Sequence, residues 1–161
     1  MSGFGTDRDR TIIQQVLCAY STGVDERDWL KVRNCYHDDA IDNHGVYSGG
    51  VDGLVAHFAH ALKTYESTLH LVSIPKIEFT SNLSAVVETP SIAFHWSKEK
   101  GPHLLVAAKY CDQFDMRDGV WRIAHRDVVL LEATEYEAVD QNWKFSELFL
   151  REQKLKVEND V

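Results

Sequence analysis

An α+β domain is predicted by three observations: helical periodicity comes first in the chain, strand-like runs come after it, and the strongest hairpin marker separates the last two runs. The chain has 161 residues, about one domain's worth, and 44% of them are apolar, enough for one core. No internal repeat or low-complexity tract divides it. One domain over residues 1–161 is therefore expected, with its core at about 8–132 and a C-terminal extension over 133–161.

Each element has a local reason. Thr6 or Asp7 caps a first helix, whose Ile12, Ile13, Val16, Leu17 and Tyr20 recur at helical spacing to about Gly23. A second helix, capped between Asp25 and Asp28, carries Trp29, Leu30, Val32 and Tyr36 and stops in the polar segment HDDAIDNHG, which reads as a loop. A third runs from about Gly50 to Tyr65 with Val51, Leu54, Val55, Phe58 and Leu62 on one side. Residues 69–79, 84–96, 104–116 and 120–131 are then rich in Val, Ile, Phe, Tyr and Trp and predict four antiparallel strands. Asp118-Gly119 tolerates the positive φ angles of a tight hairpin. In the extension, WKFSELFLREQKLK predicts an amphipathic helix, with Trp143, Phe145, Leu148 and Phe149 at a subunit interface or over the pocket.

Composition excludes some functions. Seventeen basic against 25 acidic residues give a net charge of −8 with no extended basic cluster, which argues against nucleic acid as a partner. No apolar run approaches the roughly 18 residues of a membrane span, and the start of the chain is acidic and polar, unlike a signal peptide. A cytoplasmic protein with no membrane partner is expected. Cys18, Cys35 and Cys111 are odd in number and lack CxxC spacing, which predicts buried thiols, not a disulfide framework or a thiolate zinc site.

The stretch IIQQVLCAYSTGVDERDW, the YHDDAIDNHG segment, the GL(x)3F helix start, His70 opening the first long strand, and YCDQFDMRDGVWRIAHR together resemble the SnoaL-like branch of the NTF2-like superfamily, over about residues 8–132. The resemblance implies an NTF2-like (cystatin-like) cone: N-terminal helices packed on a strongly curved, mostly antiparallel sheet around an apolar pocket. It also implies a homo-oligomer, dimer or trimer, and chemistry without a cofactor. Its members include lyases and isomerases acting on steroids, polyketides or small rings, and also non-catalytic carriers and accessory subunits, so function must be argued from the site.

Asp25 and His70 match the Asp-His dyad of the scytalone dehydratase, bile-acid dehydratase and hexachlorocyclohexane dehydrochlorinase lines of that superfamily. A histidine accepts a proton near neutrality, and a carboxylate on its other nitrogen fixes the tautomer and stabilises the imidazolium. The bland alternative makes Asp25 an N-cap and His70 a structural strand residue. By the same resemblance Arg126 steadies a departing group or oxyanion; otherwise it pairs with Asp127, Asp112 or Asp25. Strand alternation puts Trp121 and Ile123 on one face and Arg122, Ala124 and Arg126 on the other, unless a bulge intervenes. Tyr20 is a candidate donor to a substrate oxygen or a core residue.

Leu104, Val106, Ala108 and Tyr110 match cavity-facing positions of the family, and Trp29, Phe58, Phe94 and Trp96 are candidate walls, together suiting a small hydrophobic substrate. A metal reading of His37, Asp38, Asp39, Asp42 and His44, or of His57 with His60, lacks any specific spacing; surface histidines account for it. The rival chemistry is a ketosteroid-isomerase-like shuttle with Asp42 as base and Tyr20 as donor, against which Ala108 stands where a second acid is needed. The leading expectation is a lyase of dehydratase or dehydrohalogenase type.

Overall fold

The computed structural model describes residues 3–98 and 101–137. Helix α1 (Asp7–Glu26) begins on a capping box, in which Thr6 Oγ1 accepts from the Asp9 N–H and the Asp9 carboxylate accepts from the Thr6 N–H. Ile13, Leu17, Tyr20 and Val24 form its buried stripe. The helix continues past Gly23 and ends where Arg27 takes a left-handed conformation, φ 61°. Asp25 therefore sits in the last turn of α1 and caps nothing; the cap of α2 (Trp29–Asn34) is Asp28, which accepts from the Lys31 N–H at 2.9 Å.

The polar segment read as a loop is mostly strand: β1 (Tyr36–Asn43) pairs with β2 (Ser48–Gly50) on one side. Its polarity is inverted, since Ile41 is exposed while Ala40 and Asp42 are buried, so the usual apolar-inward pattern is missing. Helix α3 (Val51–Ala61) follows as expected but ends earlier than read, giving way to a 3-10 turn (Leu62–Thr64) before Tyr65 opens the next strand.

The run at 69–79 is two strands, β3 (Tyr65–Val72) and β4 (Lys76–Ser81), which dock one after the other along the same edge of β5 (Ser84–Ser97). Pro90 falls at the junction between them, where its missing N–H interrupts no ladder. Strand β6 (His103–Arg117) turns through Asp118 and Gly119, φ 52° and 78°, into β7 (Val120–Tyr136), as the dipeptide predicts.

The unclosed sheet has the order β2-β1-β7-β6-β5-β3, antiparallel throughout except for the parallel β1–β7 pair. Register shifts between β6 and β7 at Ala107/Ala108 and Gln113/Phe114 add local twist and bend this long hairpin around the helices. Residues 133–136, assigned to the extension, are the end of β7 and pair with residues 103–106. The helix predicted around Trp143, Phe145, Leu148 and Phe149 lies outside the described residues. Of the cysteines only Cys35 is buried; Cys18 is exposed, because it falls on the polar side of α1, and Cys111 is half-buried. No helix among the described residues is long and apolar enough to cross a membrane.

Candidate functional site

The last turn of α1 lies against β3, and this contact brings Asp25 to His70. Asp25 Oδ1 accepts from His70 Nδ1 at 2.6 Å and from the Thr68 hydroxyl at 2.9 Å, while Oδ2 accepts from the His70 backbone N–H at 2.8 Å. Thr68 and His70 share a face of β3 by strand alternation. Arg27 extends the network by donating to Thr68 Oγ1 at 2.8 Å. Burial works to raise the Asp25 pKa, but the hydrogen bonds from His70 and Thr68 outweigh it and hold the carboxyl below its usual range. A carboxylate bonded at three points is rigid, and it commits His70 Nδ1, leaving Nε2 for the cavity that His70 lines.

That cavity measures about 590 Å³ and lies between the helices and the concave face of the sheet. Val106, Ala108 and Tyr110 of β6 line it, as the family positions imply, and so does Phe58 of α3. Trp29 does not: it starts α2, is partly buried and packs against the core. Phe94 and Trp96 stack on each other at 5.8 Å and likewise are not among the lining residues, because the cavity takes the other set of β5 positions, Ser91, Ala93 and His95.

His95 was missed in the sequence. Its ring lies 5.6 Å from that of His70 and 5.0 Å from that of Tyr65, and its buried Nδ1 has no partner among the described residues. Burial foremost, with the proximity of His70, pushes its pKa down to about 4, so it faces the cavity as a neutral imidazole. The available signal was strand phase: His95 is two residues from Ala93, the register partner of His70.

Arg126 is completely buried and faces inward with Trp121 and Ile123, contrary to simple alternation, because Ala124 is the extra residue of a bulge opposite Gln113 and Phe114. Its guanidinium forms a bidentate pair with Asp112, 2.7 Å at both Nε and Nη2. Of the three acids the sequence left open, Asp112 is the partner. The guanidinium carbon also lies 4.3 Å from the Tyr20 ring centroid and 4.2 Å from that of Tyr110, and Nη1, which has no hydrogen-bond partner among the described residues, sits against these faces. Tyr20 and Tyr110 line the cavity; Arg126 stands behind them and is not a lining residue. Burial foremost, and the neighbouring Tyr110, push the Tyr20 pKa well above the ordinary phenol value, so its proton stays available for donation.

The acidic segment does not converge on one point. His37 Nε2 meets the Asp115 carbonyl oxygen at 2.9 Å, Asp38 pairs with Arg33, and Asp39 pairs with Arg117. Asp42 accepts from the Tyr36 hydroxyl at 2.7 Å and from His44 Nδ1 at 2.9 Å. It is fully enclosed and is not a lining residue, so the isomerase role assigned to it lacks contact with the cavity. His44, expected at the surface, lines the cavity instead, because the inverted phase of β1 turns Asp42 inward. No group of three His, Cys, Asp or Glu side chains among the described residues is arranged to hold a metal ion.

Comparison with known proteins agrees with this architecture. The chain is 26% identical over 127 residues to hexachlorocyclohexane dehydrochlorinase 1 of Sphingobium indicum, covering 77% of this chain and 82% of that one. The crystal structure of hexachlorocyclohexane dehydrochlorinase LinA-type3 from Novosphingobium barchaimii superposes with a TM-score of 0.75 at 21% identity, covering 82% of this chain and 92% of the other. A scytalone dehydratase-like protein of Novosphingobium aromaticivorans gives 0.72 at 20% identity, over 80% and 88% of the two chains. At these identities the structural likenesses establish the fold. The model of the SnoaL-like domain matches residues 6–127, and the chain belongs to the SnoaL-like domain family, with an NTF2-like fold.

Proposed function

We propose that the protein is a lyase that eliminates water or a halide from a hydrophobic cyclic substrate such as a steroid, a polyketide or a small ring. His70 Nε2 takes a proton from carbon next to a carbonyl, Asp25 holds the tautomer and balances the imidazolium, and the C–H electron pair forms the new double bond as the leaving group departs from the adjacent carbon. Tyr20 donates to the oxygen on which charge develops. Arg126, behind the rings of Tyr20 and Tyr110, acts through them as a positioning residue with a permanent charge. The single observation that supports the reading best is the 2.6 Å contact between Asp25 Oδ1 and His70 Nδ1 at the wall of an apolar cavity. Relatives named as dehydrochlorinases agree with it.

The test uses the aldol adduct of benzaldehyde with acetone, a β-hydroxy ketone, and the β-chloro ketone in which chlorine replaces its hydroxyl. Elimination from either gives benzylideneacetone, followed by its absorbance. Wild type is expected to form this enone, and Asp25→Asn and His70→Ala are expected to lose most of that activity while melting cooperatively. Wild-type turnover that survives in both variants ends the proposal. Tight binding of such ketones without turnover assigns the cavity to a carrier or accessory subunit.

A further inference from the structure

A second carboxylate-held imidazole opens on the same cavity. Asp42, completely buried near the end of β1, holds His44 Nδ1 at 2.9 Å with one oxygen and takes the Tyr36 hydroxyl at 2.7 Å with the other. The His44 ring is wedged edge-on against Phe58 at 5.0 Å and lies 6.4 Å from the Tyr110 ring. With Nδ1 committed, Nε2 is the nitrogen left for the cavity, as in His70. The two imidazoles come from opposite ends of the sheet: β3 is its last strand, and β1 is next to the other edge. Sheet curvature makes them walls of one chamber.

We propose that His44 is the general acid of the elimination, so that the natural leaving group is a hydroxyl and the protein is a dehydratase. The inference rests on His70 being the base. A chloride ion departs without help, because its conjugate acid is strong; hydroxide is the conjugate base of water, pKa about 15.7, and has to be protonated as it leaves. In the balanced step His70 Nε2 gains the proton from carbon and the C–H pair becomes the new C=C bond. The C–O bond breaks toward oxygen, and that oxygen takes the Nε2 proton of the His44 imidazolium and leaves as water. His44 ends neutral and His70 charged, and exchange with solvent restores both.

The surroundings suit a proton donor. Burial works to raise the Asp42 pKa, but the bond from His44, the field of Arg126 and the Tyr36 hydroxyl hold it below the usual range. The counter-charge for an imidazolium is therefore in place. The groups facing this corner are Asp42 and Tyr36 of β1, Tyr20 of α1, which packs on Tyr36 and Tyr110, Arg126 of β7, Asp112 and Tyr110 of β6, and His57 of α3, which stacks on Tyr47. The Arg126 charge is already matched by Asp112, which leaves Asp42 as the anion nearest to His44. Asp42 acts only through His44 and is a positioning residue.

The experiment compares the two ketones above as kcat/KM in the full-length protein. His44→Asn keeps an amide donor where Nδ1 stood, so the buried Asp42 stays partnered while the acid is lost; His44→Gln is the second variant, and melting curves accompany both. The hydroxy-to-chloro rate ratio is expected to fall by about 10²-fold or more in either variant, the usual contribution of a general acid. A ratio that stays at the wild-type value overturns the assignment of His44 and leaves His70 as base untouched. If wild type turns over neither ketone, or His70→Ala matches wild type with the chloro ketone, the elimination reading itself fails, and the His44 assignment falls with it.

Discussion

Asp25 and His70 are joined at two points: the carboxylate holds the imidazole through Nδ1 at 2.6 Å and the same residue's backbone N–H at 2.8 Å. The backbone bond fixes where the carboxylate sits, and the side-chain bond fixes which imidazole nitrogen is free. Asp25→Asn keeps a similar shape but offers an amide group where the imidazolium needs an anion. Turnover of the β-hydroxy ketone is expected to fall by about 10²- to 10⁴-fold with the melting temperature nearly unchanged, measured as kcat beside a thermal melt.

The Asp112–Arg126 pair makes a different prediction, because neither side chain reaches water. Arg126→Met strands a buried carboxylate and is expected to cost about 3 to 5 kcal/mol in urea denaturation. Adding Asp112→Leu to it is expected to recover part of that loss. A double variant as unstable as the single one would show that the guanidinium stabilises the fold mainly through its contacts with Tyr20 and Tyr110.

His95 ties stability to pH. Its folded pKa of about 4 lies below the unfolded value near 6.5, so the unfolded chain takes up the proton first as pH falls. Its contribution is complete above about pH 6.5 and is lost as the pH falls through about 4. Wild type is expected to lose up to about 3 kcal/mol more than His95→Leu across that window, read from urea midpoints at its two ends. Parallel pH slopes in the two proteins would refute it.

Gly119 tests the hairpin. Its φ is 78°, and a Cβ built there meets nothing within 4 Å, so Gly119→Ala pays in backbone conformation alone. A loss of about 1 to 2 kcal/mol is expected, seen as a lower melting temperature with activity per folded molecule retained. A neutral substitution would mean that the turn relaxes to another type.

The sequence by itself determined that helices precede the long strands, that α1 is capped at its Thr6-Asp7 start, and that a hairpin falls at Asp118-Gly119, because each depends on short-range periodicity or on one residue's backbone preference. Its resemblance to known proteins singled out Asp25 and His70 before any geometry. What remained hidden had non-local causes. The strand at Tyr36–Asn43 is polar where strands are usually apolar, because its inward positions serve the buried Tyr36–Asp42–His44 chain. The side on which Arg126 lies was decided by one bulge residue, Ala124, and its partner Asp112 by the pairing of β6 with β7. His95 and His44 became cavity residues only when the curved sheet brought both of its ends around one chamber. Spacing along the chain reports which residues share a face; which faces meet is set by strand register and sheet curvature.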